Sequence, residues 1–433
     1  MALLGYAVDP SNLSAVTIAN LSATTRPDEL RQVGAVMHSL PLLLTNQGEV
    51  TYDNSTGALG STDRNDYVLF GTTQGVLHVV DAATGTEKFA FVPNEMVENQ
   101  KEAFLKQDAT SGGLNKLFYG IDGAWTIYSE YVLNSAGKLT VGAGNNSQEG
   151  KQLVYGGLRM GGRGYYALDL KDINSPQLKF NINPDAATRN TALSYMGQSW
   201  SKPTIGWVRW GKEKKLVMFV GGGYDAGGTD GNAKNSSGKG AYAGYEADDY
   251  QQGDNGRGAG VYMFDALNGD LLWWASNKAT TSSTTTNSGT IELNDPDLKY
   301  SVVSEITTAD RDSDGLIDHL YFGDLGGQVF RIDLNNKAAT KGIFAKKPRR
   351  ILDLSQIDGK APRFYEAPAF SIYDVEGKTF AVISIGSGNR SVPLSDYTVG
   401  ASGRNYDSVY NIYDKDVTNS ELYTMADSKF QTQ

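Results

Sequence analysis

The chain has 433 residues, of which 50 are glycine and none is cysteine. Its 39 basic and 49 acidic side chains give a net charge of −10 (39 − 49), so the basic surplus that a nucleic-acid partner requires is missing. The lack of cysteine excludes disulfides, thiolate metal sites, iron–sulfur clusters and cysteine nucleophiles. His38, His78 and His319 lie far apart in sequence, so we do not expect a multi-histidine metal site either.

Five segments of the chain repeat one pattern. An apolar run ends in glycine, a turn follows, and an alternating strand then ends in aspartate, which is typical of two antiparallel strands joined by a turn. In chain order the segments span residues 67–81, 153–169, 216–265, 320–333 and 381–414. Their final aspartates are 68 to 96 residues apart, more than the roughly 40–50 residues of a compact propeller blade.

This spacing predicts an all-β fold: a β-propeller of about seven blades with long decorated loops and few short helices. Weaker blades between the clear repeats would use segments such as 124–132 and 301–306. A β-sandwich array is the alternative. We expect residues 1–433 to form a single propeller domain.

Surface-loop insertions are predicted at 225–258, which is rich in glycine, asparagine and aspartate, and at 280–289, which is rich in serine and threonine. Short helices are predicted at 27–36 and 95–106. The sequence begins in mid-pattern, with no signal peptide and no transmembrane run, as expected for a fragment of a larger exported protein.

The sharpest local pattern is the nine-residue run D-R-D-S-D-G-L-I-D, which begins at Asp310. It matches the first nine positions of an EF-hand-type calcium loop, in which the glycine at position 6 allows a sharp turn. The predicted Ca²⁺ ligands are Asp310, Asp312, Asp314, the backbone carbonyl of Leu316, and Asp318. Position 12 holds Tyr321 instead of the usual bidentate glutamate, so the loop is shortened and leads straight into a strand. A solvated acidic turn is the alternative.

Other sites are weakly supported by the sequence. Asp225, Asp230 and Asp254 could form a second cation site, but their spacing fits no metal template, and a flexible acidic loop is the better interpretation. No Walker loop or G-x-S-x-G motif is present, and the glycine-rich run 221–226 lacks the crossover helix of a dinucleotide site. His78, inside a strand, is interpreted as a packed or rim residue and not as a catalytic base. We therefore predict no catalytic residue and no cofactor other than Ca²⁺.

Several longer motifs resemble, in chain order, the C-terminal β-propeller domain of the PilC/PilY proteins, the tip-associated adhesin and assembly factors of type IV pili. The motifs are HSLP at 38–41, FAFVPN at 89–94, YGIDG at 119–123, GGRGYYALD at 161–169, GQSWSKP at 197–203, VGGGY at 220–224 and FGDLGG at 322–327, together with the acidic loop. Motifs in register over most of the chain are more specific than any one of them.

The resemblance implies a modified seven-bladed propeller, exported to the bacterial cell surface, the pilus tip or the outer membrane, with one Ca²⁺ in the 310–318 loop. It implies pilins and host-cell surfaces as partners, without membrane insertion. The implied role lies in pilus extension versus retraction, twitching motility and attachment. The chain lacks an Arg-Gly-Asp triplet, so integrin binding is not implied.

Two other functions are compatible with the repeats. The run from Asp265 to Trp273 is similar to quinoprotein propeller repeats, which would make the chain a dehydrogenase using pyrroloquinoline quinone. However, repeat similarity reports fold and not activity, and the repeats here are irregular. A generic calcium-binding, ligand-recognition propeller would carry acidic loops in several blades, whereas we find one. The leading hypothesis is a non-enzymatic, calcium-responsive pilus propeller.

Overall fold

In the described part of the chain most of the regular secondary structure is β-strand. A computed structural model describes residues 33–99, 119–227, 256–355, 361–390 and 407–431. Within these ranges 22 strands form five sheets, and α1 (Asn94–Asn99) is the one α-helix. Short 3₁₀ helices span Asn145–Ser147, Arg159–Gly161, Pro184–Ala186, Ala192–Tyr195, Lys341–Ile343 and Asp427–Lys429. None of the helices in the described ranges has the length and apolar character needed to cross a membrane.

The contacts divide the chain into two compact units. The first comprises Met1–Gly162 and Ala167–Leu178, and the second comprises Arg163–Tyr166 and Lys179–Gln433. The first unit holds a six-stranded sheet in the order β4-β3-β2-β1-β7-β6. Its strands are β1 (Leu42–Tyr52), β2 (Leu59–Gly71), β3 (Leu77–Asp81), β4 (Glu87–Phe91), β6 (Val132–Leu133) and β7 (Leu139–Thr140).

A four-stranded sheet follows in the order β10-β9-β8-β5. Its strands are β5 (Trp125–Glu130), β8 (Lys151–Gly157), β9 (Tyr165–Asp169) and β10 (Gln177–Ile182). The division between the two units passes through β9 and β10.

The second unit contains the other three sheets. A five-stranded sheet runs β11-β12-β13-β14-β15, with β11 (Thr204–Trp210), β12 (Glu213–Gly221), β13 (Val261–Asp265), β14 (Leu271–Ser276) and β15 (Ile291–Asn294). A four-stranded sheet runs β16-β17-β18-β19, with β16 (Thr307–Ala309), β17 (His319–Gly323), β18 (Gln328–Asp333) and β19 (Arg349–Asp353). A three-stranded sheet runs β20-β21-β22, with β20 (Ala369–Val375), β21 (Lys378–Gly386) and β22 (Val409–Asp414).

Each sequence repeat supplies two neighbouring strands of one sheet. The pairs are β2 with β3, β8 with β9, β12 with β13, β17 with β18, and β21 with β22. The all-β prediction is therefore confirmed, and the described residues form five blade-like sheets, one around each repeat. The count of about seven blades stays a prediction.

The two segments predicted to supply weaker blades behave differently. Residues 124–132 contain β5, which joins the sheet of the second repeat. Residues 301–306 carry only an isolated bridge, between Ser301 and Ala259, and the strand begins at Thr307. The prediction of a strand at 301–306 is wrong because these apolar residues are buried as a packed connection: Val302 and Ile306 belong to the core of the second unit.

The sheet β16–β19 is buried on both faces. Leu320 and Phe322 of β17 pack into one core cluster, which also contains Phe219 and Trp273, while Tyr321 points into a second cluster. Alternating side chains leave a strand on opposite faces, so a strand with two buried faces reads as a continuous apolar run. Full burial of one such aromatic ring contributes about 1.5–3 kcal/mol. The loop before β17 is thus attached to a rigid strand.

The predicted helices and insertions fall partly outside the described residues. Of the helix predicted at 27–36, residues 33–36 are described and are not helical. Of the helix predicted at 95–106, the described part corresponds to α1. Residues 228–255 of the predicted 225–258 insertion lie outside the described ranges, as do Asp230 and Asp254. Residues 280–289 contain no strand and are mostly exposed.

Candidate metal site

The acidic run 310–318 forms the connection between two antiparallel strands, β16 and β17. Ala309 pairs with His319 at the end of the ladder, and the backbone N–H of Asp318 donates to the carbonyl of Ala309 at 2.9 Å. These contacts close the base of the loop. Its conformation is thereby fixed by the sheet at both ends.

Two left-handed residues wind the loop back on itself. Ser313 has φ +60° and Gly315 has φ +81°, a region in which glycine carries no steric penalty. The Asp310 carboxylate accepts hydrogen bonds from the N–H groups of Asp314 at 3.2 Å and of Gly315 at 2.8 Å, and Asp314 Oδ1 accepts one from Leu316 N at 2.9 Å. Asp310 and Asp314 therefore hold the turn as well as presenting oxygen atoms.

Three of the predicted ligands converge. One carboxylate oxygen each from Asp310, Asp312 and Asp314 lies within 4.8 Å of the others, and all three residues are exposed. No other group of three or more histidine or acidic residues in the described ranges shares this geometry. An all-oxygen, anionic donor set fits Ca²⁺, which binds carboxylates, carbonyls and water in flexible geometry.

Asp318 is placed differently from the other three aspartates. It lies outside their group and is 7% exposed. Its Oδ2 accepts a hydrogen bond from the backbone N–H of Arg311 at 2.9 Å, and its Oδ1 accepts one from Asn336 Nδ2 at 3.0 Å. Asp318 therefore stabilises the loop through these two hydrogen bonds. Its role as a metal ligand stays a prediction. The same holds for the Leu316 carbonyl, although the Leu316 side chain is buried.

Asp318 and two of the exposed aspartates, Asp312 and Asp314, line one cavity of about 250 Å³. Its lining comes from the loop, from the residues after β18, and from a turn near the end of the chain. The lining residues are Arg311, Asp312, Asp314, Asp318, Asn335, Asn336, Lys337, Ser420, Glu421, Tyr423 and Thr424. The cavity gives solvent access to the carboxylates.

Asn336 is a site residue that the sequence did not reveal. It is buried, and its Nδ2 donates to Asp318 Oδ1 and to the Ile317 carbonyl, both at 3.0 Å. Its Oδ1 accepts a hydrogen bond from the backbone N–H of Arg209 in β11 at 2.8 Å. In sequence, Asn335-Asn336 indicates only a turn after β18, so no local signal reports the contact with the loop.

A buried ion-pair network begins at His319, the residue that follows Asp318. His319 Nδ1 lies 2.8 Å from Asp333 Oδ1, and Arg331 contacts both Asp333 and Asp414. Burial alone would raise the pKa of Asp333, but the His319 hydrogen bond and the Arg331 charge outweigh it and lower that pKa. These charges are paired inside the sheet and do not face the cavity.

Other polar groups singled out in the sequence have structural partners. Asp225 is buried and accepts hydrogen bonds from the N–H groups of Gly227 and Arg257. His78 Nδ1 lies 2.7 Å from Glu87 Oε2, and its ring stacks on Phe70. Asp225 is thus hydrogen-bonded to the backbone around it, and His78 is both paired and packed within its sheet.

Comparison with known proteins decides the family. The family model described as the PilY1 beta-propeller domain matches residues 33–248. The crystal structure of the Pseudomonas aeruginosa PilY1 C-terminal domain matches with a TM-score of 0.52 and 19% identity, over 83% of this chain and 60% of that chain. The chain is a PilC/PilY-family propeller. The resemblance noted in the sequence is confirmed, and so is the propeller class.

The curated relatives of this PilC/PilY propeller are much longer than the chain. The type IV pilus biogenesis factor PilY1 of P. aeruginosa strain UCBPP-PA14 is 25% identical over 311 residues, which cover 70% of this chain and 21% of that protein. The PilY1 homolog of Xylella fastidiosa strain Temecula1 is 23% identical over 351 residues, or 78% and 20%. The chain thus spans about a fifth of these relatives. The matched family model ends before the 310–318 loop, so it does not bear on metal binding.

Proposed function

We propose that the chain is the calcium-binding propeller of a type IV pilus assembly and tip adhesin protein. Bound calcium modulates pilus extension versus retraction, twitching motility and attachment to surfaces or host cells. The observation that carries the proposal is the convergence of Asp310, Asp312 and Asp314 within 4.8 Å in a loop fixed at both ends. The family supplies the pilus context.

The charge of the loop favours a dication. Two carboxylates about 4–5 Å apart repel by about 1 kcal/mol in water and by more where protein displaces solvent. Asp310, Asp312, Asp314 and Asp318, with the Leu316 carbonyl, would hold the ion, which would cancel this repulsion. Ca²⁺ is favoured over Mg²⁺ because Mg²⁺ requires near-octahedral geometry and keeps several waters.

Calcium in this loop would stabilise one arrangement of the surrounding sheets. The loop leads into the buried strand β17, and Asp318 is linked through Asn336 to Arg209 in β11. A ligand that binds only the folded form adds about 2.7 kcal/mol of stability at a concentration 100 times its Kd. Occupancy would therefore change the population of the form that contacts other proteins.

The proposed partners are pilins, and the proposed location is the bacterial cell surface or the pilus tip. Both follow from the relatives, which are type IV pilus biogenesis factors. The role is binding rather than catalysis.

The experiment that tests this role is retention of pilus proteins by the immobilised chain. Purified minor and major pilins are passed over the wild-type chain in Ca²⁺ and in chelator, and then over Asp312→Asn. Asp270→Asn is the matched control, because Asp270 is an exposed aspartate of the β13–β14 turn, outside the cavity. We expect calcium-dependent retention by wild type and control only. Equal retention with and without calcium would refute the proposed regulation, and no retention under any condition would refute the proposed partners.

A further inference from the structure

The hairpin that joins β11 to β12 carries a group of positive charges at its tip. Arg209 and Lys214 are cross-strand partners, and Lys212 lies in the turn between them. All three side chains are exposed, and in the part of the chain that the structure describes none of them forms an ion pair. Glu213 points to the opposite face from Lys214, because successive side chains alternate along a strand.

The pairing of Arg209 with Lys214 is unfavourable by itself. Like charges directly opposite each other destabilise an antiparallel pair of strands. The two cations face one another although the chain has ten more acidic than basic residues (49 − 39). The Trp207 ring compensates Lys214 in part, since Nζ lies 5.1 Å from the ring centre. An acidic group bound from outside would remove the remaining repulsion.

A second segment, the connection after β18, brings a fourth cation to the tip. Lys341 Cε lies 3.4 Å from the position that a Cβ on Gly211 would occupy, and Lys341 Nζ is 5.5 Å from the centre of the Trp210 ring. Lys341 has no ion-pair partner among the described residues either. Its backbone is fixed, because Lys341 N donates to Asn287 Oδ1 at 3.0 Å. We call the four cations the basic tip: Arg209, Lys212, Lys214 and Lys341.

The surroundings of the basic tip favour a protein as its ligand. The supporting loop 280–289 contains no charged residue, so it adds hydroxyl and amide groups without negative charge. Trp207 is half-buried on the same face of β11 as Arg209, and tryptophan and arginine are enriched in the energetic centres of protein–protein interfaces. The β11–β12 ladder holds the tip in one conformation, which lowers the entropy lost on binding.

We propose that the basic tip is the surface through which the chain docks on an acidic face of a pilus protein. The inference rests on the pilus partners of the proposed function and deepens it, because it assigns them a contact surface and a sign of charge. In a chain of net charge −10 the tip is a local positive region toward which an acidic partner is steered. Such complementarity speeds association and makes it sensitive to salt.

The experiment measures how fast purified minor and major pilins associate with the immobilised chain in Ca²⁺, at low and at high NaCl concentration. One double variant combines Lys212→Glu with Lys214→Glu, and a second combines Lys212→Gln with Lys214→Gln. The matched control is Lys179→Glu, an exposed lysine of β10 outside the tip. We expect association at least about tenfold slower for the charge-reversed variant at low salt, a smaller reduction for the neutral variant, and none for the control.

Thermal unfolding controls for the fold of the variants. Both double variants should unfold at or above the wild-type temperature, because each relieves the repulsion between Arg209 and Lys214. The reduction in association rate should shrink at high salt, which screens exposed charges. A reduction that is equal at low and high salt would indicate lost packing instead of lost charge, and would overturn the inference.

The other outcomes separate the inference from the function on which it rests. If the pilins associate with wild type and both double variants at equal rates, the tip is not the docking surface, although the pilin partners stand. If the variants lose binding only to vesicles of phosphatidylglycerol and phosphatidylcholine, the tip contacts lipid headgroups and the inference is overturned. If wild type binds no pilin in any condition, both the inference and the proposed partners fail.

Discussion

Asn336 donates a 3.0 Å hydrogen bond to Oδ1 of Asp318, the last aspartate of the 310–318 loop. The same Asn336 side chain accepts a hydrogen bond from the backbone of Arg209 in the neighbouring sheet. One amide thus connects the loop to two sheets and fixes the direction of a carboxylate. Partners of this kind tune metal affinity without touching the ion.

Replacing this amide should weaken both the fold and the metal site. In Asn336→Ala, Asp318 Oδ1 and the Arg209 N–H lose their partner, and each buried unsatisfied group costs about 1–3 kcal/mol. We expect a loss of about 2–4 kcal/mol in the free energy of unfolding and a Ca²⁺ affinity about 10–100-fold lower. Urea denaturation and calorimetric titration measure the two effects. Asn268→Ala, in an exposed turn, is the control, and a stable Asn336→Ala with wild-type affinity would contradict the assigned role.

We expect glycine at position 315 to be required for its backbone conformation, and not because a side chain there would clash with a neighbour. A Cβ added there would meet no atom within 4 Å, but its φ of +81° strains any residue with a side chain. Gly315→Ala should therefore lower Ca²⁺ affinity by about tenfold, which is the 1–2 kcal/mol cost of the left-handed conformation. Gly315→Asn should lose less, because asparagine tolerates this region. Equal affinities for Gly315→Ala and wild type would show that the loop can bind the ion in another conformation.

The buried ion pair between Arg331 of β18 and Asp414 of β22 connects the last two sheets. We expect it to make a large contribution to the free energy of unfolding. Arg331 Nη1 lies 2.7 and 2.6 Å from the two Asp414 oxygens, and both side chains are at most 1% exposed. Removing one partner of such a pair leaves a buried charge, which costs about 3–5 kcal/mol. We expect Asp414→Asn to lose about 3 kcal/mol in denaturant unfolding, with Asp270→Asn unchanged. A loss below about 1 kcal/mol would mean that Asp333 alone compensates Arg331.

Asp324 should make stability fall as pH rises toward neutrality. Burial raises the pKa of its carboxyl from 3.8 to about 7, although the N–H groups of Gly326 and Gln328 donate to it. Between about pH 4 and pH 7 the folded state then keeps a proton that the unfolded chain has released. The free energy of unfolding therefore decreases across that window, by up to about 4 kcal/mol.

Urea denaturation at several pH values measures this effect. The decrease should be absent in Asp324→Asn and present in Asp270→Asn. A pH dependence in Asp324→Asn equal to that of wild type would exclude Asp324 as its source.

The parts of the fold encoded by local pattern were predictable from sequence. β17 and β18 are adjacent in the chain and joined by a short glycine turn, so their alternation and pairing can be seen in residues 319–333. The D-x-D-x-D-G pattern likewise fixes the loop through bonds within six residues, such as those from Asp314 and Gly315 to Asp310. The strand predicted at 301–306 is wrong because burial in the core, and not strand pairing, explains the apolar side chains of Val302 and Ile306.

The parts that depend on long-range packing were not predictable. Asn336 reaches Asp318 across 18 residues, and Arg311 reaches Asn419 across 108. Neither contact leaves a local signal, because asparagine and arginine in turns have many alternative partners. The partition of the four aspartates, three exposed and Asp318 buried, also follows from packing around the base of the loop.

The most direct test of the calcium site is calorimetric titration of Ca²⁺ into the wild-type chain, Asp312→Asn and Asp270→Asn. Asp312 is the most informative position to replace, because it is exposed and its carboxylate has no partner among the described residues. Its replacement should therefore leave the stability of the fold unchanged. We expect one saturable site per chain in wild type and control. Asp312→Asn should bind at least about 100-fold more weakly, with unchanged thermal unfolding in chelator. Undiminished Ca²⁺ binding by Asp312→Asn, or no Ca²⁺ binding by wild type, would contradict the proposed calcium site in the 310–318 loop.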